Sequence, residues 1–224
     1  MKNNNKNKIA AFALLSLSFL ASATSAQAST LTYNGGGLGT GVDLKVNGSY
    51  ESVFAGQLLI TLDAKDSIAF CVDLFAPLSR GSYSTITGSP VTYTNGNRAA
   101  WIVENYGLNI TTNAMAAAVQ LALWEVVHDG GNGLGTGIIR STNSMSSSLK
   151  ADANSIIAAS LGKSSNNATI LYNTFPSGLK AQTLIVYTPP TSAEVPEPSS
   201  IAMLSIGVAG LGFGVYRKRK ASNR

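Results

Sequence analysis

From Leu31 to Val91 apolar residues recur in short alternations, interrupted by Gly, Asn, Asp and Ser. A period of two marks strands that bury one face. Residues 42–46, 52–62 and 68–74 read as strands, with turns at 34–39, 47–48 and 64–66. The period then changes. Over residues 97–106 the apolar positions Ala99, Ala100, Ile102 and Val103 suit a short helix that ends near Gly107. Residues 114–127 are apolar or strong helix formers on almost every side, with Thr112 or Asn113 able to cap the start and Gly130-Gly131 to stop the end. A helix apolar all round is buried. Residues 143–161 form a more polar helix closed by Gly162, and residues 181–187 read as the last strand. The expected fold is α+β: a β-rich half, sandwich or barrel-like, packed against a buried core helix.

The two ends follow other rules. Lys2, Lys6 and Lys8 precede an apolar stretch from Ile9 to Leu20, and Ala26-Gln27-Ala28 places small residues at alternate positions. That is a secretory signal with cleavage after Ala28, so residues 1–28 are read as a signal peptide. At the other end Ser199 to Tyr216 is uncharged and near the minimum length for a membrane span. Arg217-Lys218-Arg219-Lys220 follows at once, which leaves the basic end in the cytoplasm and the central domain outside. Residues 199–224 are read as a transmembrane helix with a basic tail, and the proline-rich residues 189–198 as an extended linker.

Within that linker stand Pro196, Glu197 and Pro198. Pro-Glu-Pro, a short Gly-rich apolar helix and a terminal Arg/Lys cluster, in that order, resemble the PEP-CTERM sorting signal of Gram-negative bacteria. The resemblance implies recognition by an exosortase-type processing protease and a membrane contact through the C-terminal helix that is at least transient. It also implies delivery to the envelope, outer surface or extracellular matrix, often in biofilm formers that export polysaccharide.

The composition is skewed by these ends. The chain has a formal net charge of +5, yet residues 29–194 hold only eight of its 16 Lys and Arg against ten of its 11 acids. The central domain, residues 29–188, is about neutral, and the overall basic charge does not point to nucleic acid. One cysteine excludes an internal disulfide, and one histidine leaves too few ligands for a structural zinc site. No cofactor is implied.

That cysteine, Cys71, lies in the segment Ala69-Phe70-Cys71-Val72-Asp73-Leu74. Far along the chain, Gln120 sits inside the apolar helix and shares a face with Ala116, Ala117, Trp124 and Val127. A buried primary amide needs partners, or it costs about 1–3 kcal/mol. The aromatic-Cys-apolar-Asp segment followed by an apolar-Gln-x-x-x-Trp-Glu helix is similar to the thioester domains of bacterial surface adhesins. The resemblance implies that Cys71 supplies the thiol and Gln120 the acyl group of an internal thioester. Phe70, Asp73, Trp124 and Glu125 complete the two motifs. It further implies single-use covalent adhesion, without enzymatic turnover, to an amine or hydroxyl on an unidentified surface or matrix partner. The alternative is a non-covalent structural or matrix protein associated with exopolysaccharide, in which Cys71 is a small buried hydrophobe and Gln120 a hydrogen-bonded core residue.

Other chemistry is thinly supported. The glycine-rich stretch from Gly130 to Gly137 follows a helix and lacks the strand-before, helix-after setting of a phosphate cradle, so it reads as a flexible connection. His128 suits the C-terminal end of the core helix. Asp73, Glu104, Glu125 and Asp129 offer carboxylates for glycoside hydrolysis, but nothing in their spacing fixes a facing pair.

Overall fold

The computed structural model describes residues 28–190; the expected signal peptide up to Gln27, the Pro-Glu-Pro motif, the apolar C-terminal stretch and the basic cluster lie outside them. Strand β1 (Ser29–Val46) turns at Asn47-Gly48 into β2 (Ser49–Leu62), and a tight turn through Asp63 and Ala64 leads to β3 (Lys65–Cys71). β4 (Gly81–Gly88) and a 3₁₀ turn at Pro90–Thr92 precede the helices α1 (Gly96–Tyr106) and α2 (Asn113–Asp129). The short β5 (Ile139–Ser141), α3 (Ser147–Ala159), β6 (Ala168–Thr174) and β7 (Leu184–Tyr187) complete the chain.

Six strands pair antiparallel in the order β2-β3-β7-β6-β4-β1, and β1 pairs with β2 again, so the sheet closes into a small barrel. Closure removes free strand edges. The β-rich half is therefore barrel-like, and the α+β class holds. β1 reaches well past the ring: its first five residues pair with β4, while its far end, still bound to β2, also carries β5.

The 34–39 segment is not a turn. β1 runs straight through it, with register irregularities between Tyr33 and Gly35 and between Gly36 and Gly39. Its glycines serve close approach. A Cβ on Gly56, the partner of Gly39, would lie 2.3 Å from the backbone oxygen of Leu38, so only glycine lets the two chains meet there.

α2 is the center of the core. Residues Ala116 to Val127 are all buried, covered by α1, α3 and the long β1–β2 hairpin. Thr112 caps its start, its Oγ1 accepting from Met115 N at 3.2 Å, and Asn113 Oδ1 accepts from Gly39 N, tying the β1 bulge to the helix. Gly130, at φ +71°, ends it in the left-handed conformation. α3 begins at Ser147, later than the expected 143, because Ser146 takes the cap by accepting from Leu149 N. The last strand starts at Leu184, not 181, since Gln182 bonds outside the sheet to Pro77 O.

The Gly130–Gly137 segment is a fixed structure, contrary to the flexible connection expected. Glu125 Oε1 accepts from Gly133 N at 2.9 Å, and the two oxygens of Asp129 accept from Ile138 N and Ile139 N at 2.8 and 2.7 Å. Asn154 Oδ1 takes Leu134 N. Arg98 braces the same corner by donating to Gly130 O, Ile157 O and Ser160 Oγ. Backbone groups that a glycine-rich loop leaves free are thus satisfied by side chains.

Cys71 closes β3 opposite Leu184, the first residue of β7. β7 then runs away from Cys71, and the chain leaves the barrel past Tyr187 at the other rim.

Candidate functional site

Cys71 and Gln120, 49 residues apart in sequence, meet in the core. The Cys71 N–H donates to Gln120 Oε1 at 2.9 Å, and Gln120 Nε2 donates to the Cys71 carbonyl at 2.7 Å. The sheet itself prepares this. Val72 N bonds to Thr183 O of the β7 side, so the backbone groups of Cys71 face the other way, toward β2. There the β2–β3 pairing stops at Leu58 and Ala69, two residues short of Cys71. Gln120 fills the missing rung. Both residues are almost fully buried, at 3% and 1% exposure.

The thiol is held protonated. Its Sγ donates to Asp73 O at 3.2 Å, and burial pushes its pKa up to about 12; the Trp124 indole N–H and the Asp73 backbone act in the lowering direction. Trp124 lines the same cleft as Cys71. Trp124 Nε1, on a side chain 2% exposed, has no partner.

Beside the pair lies a cleft of about 280 Å³. Its wall includes Cys71, Gln120 and Trp124 together with Tyr33, Phe54 and Leu78. Its wall offers polar and apolar surface in about equal measure.

The remaining sequence-selected residues divide by role. Phe70 is core. Asp73 is buried just after the cysteine; its Oδ1 accepts from Phe75 N, and its Oδ2 pairs with the exposed Lys180 at 2.6 Å. Glu125 is fully buried and its carboxyl is raised to about 7, first by burial and then by the neighboring Asp129 charge. It belongs to the loop clamp and not to the cleft. His128 stands at the end of α2 edge-on to Phe75, with ring centroids 5.0 Å apart; burial lowers its pKa against the opposing pull of Asp73. Glu104 accepts from Asn167. Of the four acids weighed for glycoside hydrolysis, only Glu125 and Asp129 come together, and Asp129 spends both oxygens on backbone N–H groups. Sequence reasoning did not single out Tyr93, whose hydroxyl donates to Val72 O at 3.4 Å, or Lys180. Both reach the Cys71 segment from distant parts of the chain, and no local signal marks them.

Among the described residues no cluster of three His, Cys, Asp or Glu is placed to hold a metal ion, and no helix is long and apolar enough to cross a membrane.

Residues 194–220 match the PEP-CTERM protein-sorting motif. The chain therefore carries the address of an exported, envelope-associated protein, one that implies processing by an exosortase. Pro196 to Pro198 and Arg217 to Lys220 fall inside the matched span and, like Ala26, lie outside the described residues; Ala28 is the first residue described. In fold, the chain is similar to the N-terminal thioester domain of a surface protein from Clostridium perfringens, with a TM-score of 0.39 and 13% sequence identity over 70% of this chain and 97% of that one. No curated protein matches the chain in sequence.

Proposed function

We propose that this is an exported surface or matrix protein that attaches covalently to a partner through an internal thioester between Cys71 and Gln120. The observation that carries the reading is the two-point contact of the Gln120 carboxamide with the Cys71 backbone beside a cleft. A core amide used only for packing needs partners, but it does not need a cysteine as the partner and a cleft at its side.

The chemistry follows from the contact. Cys71 N–H, already on Gln120 Oε1, polarizes the carbonyl and stabilizes the oxyanion when sulfur adds to Gln120 Cδ. The new C–S bond replaces the C–N bond; the thiol proton leaves with the amide nitrogen as ammonia. Burial then shields the thioester from water. An amine or hydroxyl that enters the cleft attacks the same carbon, breaks the C–S bond and stays attached to Gln120. The acyl group is consumed, so each molecule reacts once and does not turn over.

The test is intact mass. The mature protein is expected to weigh one ammonia less than its sequence, to resist thiol reagents, and to gain the mass of methylamine with release of one thiol. A full-mass protein with a free Cys71 refutes the reading. It would leave the second reading, a non-covalent matrix protein in which Gln120 only ties β3 to α2, which the same two hydrogen bonds also satisfy.

A further inference from the structure

Buried indole N–H groups almost always find an acceptor, and one that does not calls for a reason. Trp124 Nε1 is such a group: it has no partner, on a side chain that is 98% buried, in the wall of the cleft shared with Cys71 and Gln120. Gln120 and Trp124 are four residues apart on α2 and so stand on one face; Cys71 bonds to Gln120, and all three line one cleft. We propose that the Trp124 N–H is the hydrogen-bond donor to the Cys71 sulfur while that sulfur carries negative charge, in the making and the opening of the thioester. The proposal rests on the thioester reading above.

The physical case is one of difference between states. A thiol or thioester sulfur is a weak acceptor, and a thiolate is a strong one. The N–H is unsatisfied beside the Cys71 thiol, and a thiolate released as the C–S bond breaks would be the acceptor it lacks. An interaction absent from the ground state and present in the transition state accelerates the step in full. The thiol pKa agrees, since Trp124 works against the burial that raises it. In the opening step the amine nitrogen bonds to Gln120 Cδ, the C–S electron pair passes to Cys71 Sγ, and the proton lost by the amine ends on that sulfur. Trp124 keeps its own proton throughout.

Replacing Trp124 in the full chain by 3-benzothienylalanine exchanges the N–H for a sulfur with little change in ring shape. Methylamine should then open the thioester about tenfold more slowly, at an unchanged thermal midpoint. The released Cys71 should also be alkylated more slowly at every pH from 7 to 9.5, because its thiolate has lost a donor, which a packing role would not produce. Trp124→Phe, which also lacks the donor, is expected to show the same two changes. Equal opening rates and equal alkylation rates in either folded variant overturn the role of Trp124 alone. A wild-type chain of full mass, with no thioester to open, overturns the thioester and this proposal together.

Discussion

Glu125→Gln should make the protein more stable in mild alkali and leave it unchanged in acid. Glu125 is fully buried on α2, its Oε1 accepts from Gly133 N, and its Oε2 has no partner. Its pKa stands at about 7 against an ordinary 4.5. For an acid raised in the folded state, the stabilizing contribution is complete below about 4.5 and is lost as pH climbs through about 7. At 1.36 kcal/mol per decade, the loss amounts to on the order of 3 kcal/mol. Glutamine keeps the acceptor for Gly133 N and a donor toward Asp129, and it cannot ionize. Urea unfolding at pH 4 and pH 8 reads the difference directly. The variant should match the wild type at pH 4 and exceed it by up to about 3 kcal/mol at pH 8. Asp43 and Glu104, whose pKa values are lowered by their hydrogen bonds, act with the opposite sign, but they are common to both proteins and cancel in the comparison. Parallel pH profiles for the two proteins would show that Glu125 is not held neutral and that the loop clamp has been misjudged.

Two further outcomes test the site and its frame. In its thiol form Cys71 should be alkylated at a rate that rises about tenfold per pH unit from pH 7 to 9.5; a plateau near the ordinary 9.0 contradicts the burial that raises it to about 12. Gly56→Ala should cost at least about 2 kcal/mol in a melting experiment, because its Cβ would meet the Leu38 oxygen at 2.3 Å, and an unaltered midpoint removes the close-approach argument.

What could be read from the sequence was what depends on near neighbors. The core helix, its Thr112 cap and its Gly130 stop all follow from residues within a few positions of each other, and the helical spacing placed Gln120 and Trp124 on one face. Phe70-Cys71 stood out for its chemistry, since the chain has one thiol. The sequence left sandwich and barrel as alternatives, because closure joins β1 to β4, β4 to β6 and β3 to β7 across long stretches whose pairing no local pattern records. β4, β5 and β6 went undivided or unseen for that reason. The glycines of 34–39 carry a turn composition, yet tertiary pairing keeps them in a bulged strand. The same holds for 130–137, where order comes from Glu125, Asp129 and Asn154 and not from the loop's own residues. The contact between Cys71 and Gln120 combines both kinds: the helix face was readable, while the vacant rung that receives the amide depends on where β2 leaves β3.

The route by which the chain leaves the barrel bears on mechanical load. β7 lies between β3 and β6, bonded to both, and passes from the Cys71 rim to the opposite one. Traction on the chain beyond Tyr187, from a molecule held at Gln120, would run along that strand and at right angles to the hydrogen bonds on its two sides. Those bonds would be strained in shear, all at once, instead of peeling open one by one. A chain drawn from the middle of a closed sheet would suit the covalent attachment proposed above.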